Sequence, residues 1–149
     1  MEEKARLSLI HGSQHSDERG VIRFVNTFDL SPAKRFYTIE HNNTSIIRAW
    51  QGHKIEEKYF HTVKGSFMLA GVKIDDWSTP SESLVPEEFI LKANDPQVLY
   101  VPAGYANGFR ALEPDSILLV FSNLNLEEAA QDNYRFDKNL WMDWFHAID

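Results

Sequence analysis

The chain has 149 residues, the size of one domain able to bury one substantial core. Hydrophobic residues make up 43% of it and aromatic residues 13%, which excludes a disordered polar chain. A net charge of −7 excludes a broad basic face for nucleic acid or anionic membrane but leaves room for a small basic pocket, and the lack of cysteine excludes disulfide scaffolds and thiolate zinc clusters.

The opening segment "MEEKARLSLIHGS" has no long apolar run, and no window approaches the roughly eighteen apolar residues of a membrane span, so a cytoplasmic protein is expected. Nine short β-rich runs follow: 21–28, 34–41, 45–51, 58–63, 66–74, 87–93, 97–102, 107–112 and 116–123. "KGS", "NDP" and "EPDS" read as hairpin turns between them, and "SPA" and "WSTPSES" as longer loops. "NNTS" at 42–45 matches a glycosylation sequon formally but reads as a plain loop. The pattern predicts an all-β sandwich or barrel forming a single domain over 1–149. After residue 126, Leu140, Trp141, Trp144, Phe145 and Ile148 recur at helical spacing, so a short C-terminal helix is expected to lay this face on the barrel or on a second subunit.

"RAWQGHKIEEKYFHTVKG", Arg48 to Gly65, concentrates histidines and glutamates, the raw material of a metal site. A strand, a bend and a second strand would carry these side chains into a barrel mouth. Strand alternation puts Tyr59 and His61 on the face opposite Lys58 and Phe60, and Arg48 and Gln51 share a face only if their strand bulges.

The segment resembles the first motif of the cupins, H-x-H-(x)3,4-E-(x)6-G, with Gln51, His53, Lys58 and Gly65 at its positions. A lysine where that family has a carboxylate has no lone pair for a divalent ion while protonated, and its charge repels one. No metal and no cofactor are therefore expected; a metal cupin using His53 and His61 is the alternative. "DERG" (17–20), Arg48, Lys58 and "LYVPAGYANGF" (99–109) are similar to the dTDP-4-dehydrorhamnose 3,5-epimerases. "KRFYTI" and "RAWQGHK" are similar to the WxcM-like dTDP-sugar 3,4-ketoisomerases. Together these segments cover most of residues 17–123.

The resemblance implies a cupin-like jelly-roll β-barrel, a nucleotide-sugar ligand, commonly a homodimer, and proton transfer beside a ketone. It departs at Gln51, which fills a histidine position and as a neutral amide is no general base, and at "SNLNLEE" (122–128), where the epimerases carry a tyrosine. His53 is then the expected acid/base, with Arg48 and Lys58 as electrostatic support for an enolate. A salt bridge of Lys58 with Glu57 or Asp75 is the structural alternative. Arg19, Arg23 and Arg35 are candidate diphosphate contacts, since guanidinium forks suit phosphate oxygens. Tyr37, Trp50 and Tyr105 are candidates for stacking on base or sugar, and Gln51 and Asn107 for bonding sugar hydroxyls. A non-catalytic nucleotide-sugar binding module is the competing class of function.

Overall fold

The computed structural model describes residues 5–148. Twelve strands and one helix run along the chain: β1 (Ser8–His11), β2 (Ser13–Asp17), β3 (Gly20–Phe24), β4 (Arg35–His41), β5 (Ile47–His53), β6 (Lys58–Lys64), β7 (Ser66–Lys73), β8 (Glu87–Lys92), β9 (Gln97–Val101), β10 (Tyr105–Ala111), β11 (Ser116–Ser122), α1 (Leu126–Ala130) and β12 (Tyr134–Arg135). Two five-stranded antiparallel sheets, β1-β9-β6-β11-β4 and β12-β5-β10-β7-β8, face each other, and β2 and β3 form a separate two-stranded arm. This is the expected cupin-like jelly roll, with the two sheets left open rather than hydrogen-bonded into a closed barrel.

All nine expected strands form within a few residues of their predicted ends, but the expected hairpins do not. "KGS" leads from β6 to β7, "NDP" from β8 to β9 and "EPDS" from β10 to β11, and each pair lies in opposite sheets. Turn-forming residues specify that the chain reverses, not which strand it then pairs with. The tight hairpin β2–β3, with Ser13 opposite Phe24 and Asp17 opposite Gly20, was only half anticipated, because "SQHSD" lacks an apolar alternation.

Alternate residues of each strand point between the sheets. Leu7, Phe60, Phe67, Leu69, Leu91, Leu99, Val101, Tyr105, Phe109, Ala111, Leu118 and Val120 form the main core there. A second apolar cluster, on the outer face of the second sheet, joins Trp50, Met68, Ala70, Val72, Ile74 and Ala106 to Trp144 of the C-terminal segment. Two aromatic-rich layers thus sandwich the second sheet.

The pairing of β5 with β10 slips once: Asn107 faces Gln51 and Phe109 faces Arg48, so the single residue Gly108 spans Ala49 and Trp50. This bulge reverses the alternation of β5, so that Arg48, Gln51 and His53 all point inward while Trp50 points outward into the second cluster. Gly108 is a strand residue rather than part of a turn, and its lack of a side chain is required: a Cβ there would lie 2.6 Å from the Cβ of Ala49 and 2.7 Å from the Trp144 ring.

Among the described residues only α1 is helical after residue 124. Asn125 caps it, accepting from the Glu128 amide while the Glu128 carboxylate accepts from the Asn125 amide. The predicted helical face at 140–148 is instead a run of turns. Asp137 accepts from the Asn139 amide at 2.8 Å and Asp143 from the Phe145 amide at 2.9 Å, local bonds that compete with a helical ladder, and Trp141 has φ of 71°. The segment nonetheless packs on its own sheet: Trp144 is buried, with its ring centroid 5.1 Å from that of Trp50.

Candidate active site

One end of the space between the sheets is polar. Arg35, Ser122 and Lys58 stand side by side across β4, β11 and β6, and Gln51 and Asn107 stand side by side across β5 and β10. A cavity of about 550 Å3 opens at this end, lined by side chains of β4, β5, β6, β10 and the segment around β12. Its polar lining is Tyr37, Arg48, Gln51, Lys58, Asn107 and Arg135. Three of these are cations, and no carboxylate is among the described residues that line it, although the whole chain carries a charge of −7.

Lys58 is buried, and its ammonium donates to Gln51 Oε1 at 3.1 Å, while Gln51 Nε2 donates to Asn133 Oδ1 at 3.0 Å. Neither Glu57 nor Asp75 pairs with it: Glu57 is taken by the Tyr100 hydroxyl and the Asn123 amide. Burial pushes the Lys58 amine down to about 8, and the nearby Arg35 and Arg135 charges work in the same direction against Glu56. Arg48 Nε donates to His41 Nε2 at 3.0 Å. This neutral acceptor leaves the guanidinium charge uncompensated. Asn107 is buried and its Nδ2 has no protein partner, an unused donor beside the cavity. Burial pushes the Tyr37 phenol up to about 12, so it stays protonated.

His53 is inward but does not line the cavity, which corrects its assignment as the group that meets a substrate. Its ring is buried behind the wall, with Nδ1 2.7 Å from the Asp132 carbonyl and 3.2 Å from Glu56 Oε1. Burial, aided by the Lys58 charge, lowers its pKa. Glu56 is the hub of this buried layer, receiving Arg35 Nη2 at 3.1 Å and the Ser122 hydroxyl. Arg35 is therefore spent on an ion pair and lies outside the cavity. Arg19 and Arg23 sit on the β2–β3 arm, bonded to Asp17 and to Gln14, and neither reaches the cavity within one chain. Long flexible arginines look alike in a sequence whatever they face.

Tyr105 is also removed from the cavity: its ring belongs to the main core. Trp50 spends its indole on Trp141, Trp144 and a bond to the Leu140 carbonyl, so its ring is not free to stack on a ligand. His61, on the outer face as alternation requires, donates from Nδ1 to the Gln97 carbonyl at 2.9 Å and meets neither Glu56 nor His53. Among the described residues no group of three or more His, Asp or Glu side chains could hold a metal ion.

Sequence reasoning missed the contribution of the segment 131–136. Asp132 accepts three backbone amides, from Lys54 at 2.9 Å, Ile55 at 2.8 Å and Glu56 at 2.7 Å, and so fastens the loop before β6. Arg135 pairs with Gln51 in β12 and, with Phe136, completes the cavity wall. No signal in the sequence assigns this two-residue strand, because a helical reading of the tail competes with it.

Two buried imidazoles have lowered pKa values, His41 from burial and the Arg48 charge, and His53 as above. Between those values and the unfolded value of about 6.5 the unfolded chain binds more protons, so stability rises with pH there and is lost on acidification. Urea unfolding is expected to lose up to about 1.4 kcal/mol per pH unit for each histidine below pH about 6.5. A flat profile between pH 7 and 5.5 would mean that the two rings are not held neutral.

Compared with known proteins, residues 5–142 match the family model described as FdtA: WxcM-like, C-terminal. The chain belongs to the WxcM-like, C-terminal family. Among solved structures this WxcM-like chain is similar to the rmlC epimerase of Mycobacterium tuberculosis, with TM-score 0.75 and 20% identity over 93% of this chain and 74% of that one. It is similar to ChmJ, a 3'-monoepimerase from Streptomyces bikiniensis solved with dTDP-quinovose, with TM-score 0.78 and 18% identity over 96% and 77% of the two chains. A mutant of the 3,4-ketoisomerase QdtA from Thermoanaerobacterium thermosaccharolyticum, solved with TDP-4-keto-6-deoxyglucose, gives 0.66 and 21% over 87% of each. At these identities the likeness is one of fold. No curated protein matches the WxcM-like chain.

Proposed function

We propose that the chain is a metal-free isomerase that binds a nucleotide-linked 4-keto-6-deoxy sugar in this cavity and transfers a proton at the carbon beside the ketone. The observation that carries the reading is the wall itself: Arg48, Lys58 and Arg135 with the unused Asn107 amide, and no carboxylate among the described lining residues. Such a wall attracts an anionic ligand and stabilises negative charge on a ketone oxygen. Arg48 and Asn107 are the donors for the enolate, and Arg135 at the rim takes the place sequence reasoning gave to Arg35 as a diphosphate contact. Family membership and neighbours solved with dTDP-linked sugars support the ligand class.

The same reading has the protein act in the cytoplasm, in deoxysugar or polysaccharide biosynthesis, as a homodimer. Among the described residues no helix is long and apolar enough to cross a membrane. Ile22 of the arm and Phe36 and Val63 on the outer face of the first sheet are 64%, 68% and 51% exposed, apolar surface that a second copy would cover.

A binding module without catalysis is the second reading, favoured by Gln51 in a histidine position and by the lack of an imidazole among the lining residues. Calorimetric titration with dTDP, followed by incubation with dTDP-4-keto-6-deoxyglucose in deuterated water, separates the two. Deuterium entering at a carbon beside the ketone supports the isomerase; tight binding with no exchange supports the module. Absence of both sinks the nucleotide-sugar reading.

A further inference from the structure

The two sheets bring different chemistry to the cavity. The second sheet supplies Arg48 and Gln51 from β5, Asn107 from β10 and Arg135 from β12. A guanidinium does not give up its proton in a protein, and a carboxamide neither takes nor gives one, so this side binds and polarises. The first sheet supplies Tyr37 from β4 and Lys58 from β6. The phenol holds its proton to about pH 12. No histidine, aspartate or glutamate is among the described residues that line the cavity.

We infer that Lys58 is the proton carrier of this site, a catalytic base that takes a proton from one face of the bound sugar and returns it to that same face. This rests on the keto-sugar reading above. Gln51 is what frees the lysine for the task. Its amide oxygen accepts one N–H of Lys58 while its amide nitrogen is tied to Asn133, so a neutral amine is held in place with its lone pair unused. The charges facing the amine are Glu56 and Asp132, which favour the ammonium, and Arg35 and Arg135, which oppose it; burial is the largest influence and, with the two arginines, brings the amine down to about 8. Glu56 is itself held by Arg35 and Ser122, so it competes weakly for the lysine proton.

In the step, the Lys58 amine takes the proton from C3 of a 4-keto sugar. The C–H electron pair forms a C3–C4 double bond, and the carbonyl pair moves to O4, where Arg48 and Asn107 stabilise it. The hydroxyl proton of O3 passes to O4, O3 re-forms a carbonyl with C3, and the double-bond pair takes the proton back from the Lys58 ammonium at C4. Nothing is oxidised or reduced overall, and no co-reactant enters. Inversion would need a second donor on the opposite sheet, and the described residues there offer none.

Lys58→Arg tests this directly, because arginine keeps the charge and the bond to Gln51 but cannot act as a base. With dTDP-4-keto-6-deoxyglucose in deuterated water, the wild type is expected to exchange at C3 and give a 3-keto product by NMR, with a rate that rises with pH through about 8. Lys58→Arg is expected to lose at least about 100-fold in rate while binding dTDP within about threefold of wild type. The chain has no cysteine, so Lys58→Cys can be alkylated selectively with bromoethylamine. The resulting thioether amine, less basic than lysine, is expected to restore exchange with the alkaline limb moved to lower pH. Exchange at wild-type rate by Lys58→Arg, or a product inverted at C3 or C5, overturns the inference and leaves the keto-sugar reading standing. A wild type that neither binds dTDP nor exchanges overturns that reading itself.

Discussion

Asp132→Ala is expected to destabilise the protein by about 3 to 5 kcal/mol, with a fall in Tm on the order of 10 °C for a chain of this length. Three backbone amides converge on this one carboxylate, and it is buried. Bonds to a charged acceptor contribute more than neutral ones, about 1.5 to 3 kcal/mol each, although the Lys54 and Ile55 amides lie in an exposed stretch where water recovers part of the loss. The Glu56 amide has no such recourse. Asp132→Asn recovers less than half of the loss, since its amide NH2 must face donors where a carboxylate oxygen stood. Urea unfolding monitored by tryptophan fluorescence measures both variants, and a loss under about 1 kcal/mol for alanine would show that the loop is held by something else.

The effect should reach the ligand as well. The loop that Asp132 fastens carries Glu56, and the segment holding Asp132 brings Arg135 and Phe136 to the cavity wall and Asn133 to Gln51. Affinity for dTDP is thus expected to fall together with stability, although Asp132 itself does not line the cavity.

Trp144→Ala is the second large effect, expected at about 3 to 5 kcal/mol. The indole is 2% exposed, lies against Trp50 and over Gly108, and donates from Nε1 to the Lys138 carbonyl at 3.1 Å. Truncation leaves a void that the strand backbone beneath cannot fill. Its neighbour supplies the control: Phe145 is 54% exposed and stacks only under the Arg110 guanidinium, so Phe145→Ala is expected to cost under about 1 kcal/mol. Equal losses at the two positions would mean that the tail is not seated as described.

Much of this molecule could be read from its residues. Strand alternation alone put Lys58 and Phe60 on one face and His61 on the other, because the period of two is a local property of the backbone. The need for a bulge between Arg48 and Gln51 followed from the same arithmetic, and the slipped pairing at Gly108 supplies it. The partners of the charged side chains were not readable. Arg35 reaches Glu56 and Arg48 reaches His41 across strands whose adjacency depends on the sheet order, which turn residues do not encode. His53 has the right residue type and the right face, yet one step further along β5 than Gln51 it falls behind the cavity wall. The tail misled through its spacing: an apolar period of three and four also suits a chain of turns when aspartates cap its own backbone.

The slip at Gly108 has a further meaning for how this scaffold can vary. Two residues of one strand share a single opposite neighbour, so the count of residues, and not their chemistry, decides which way Arg48 looks. Deleting either Ala49 or Trp50 would remove the bulge and leave Arg48 two residues from Gln51, still on the inner face by plain alternation, whereas deleting both would turn the guanidinium outward. One residue of β5 can thus be lost at this point without taking the cation out of the cleft.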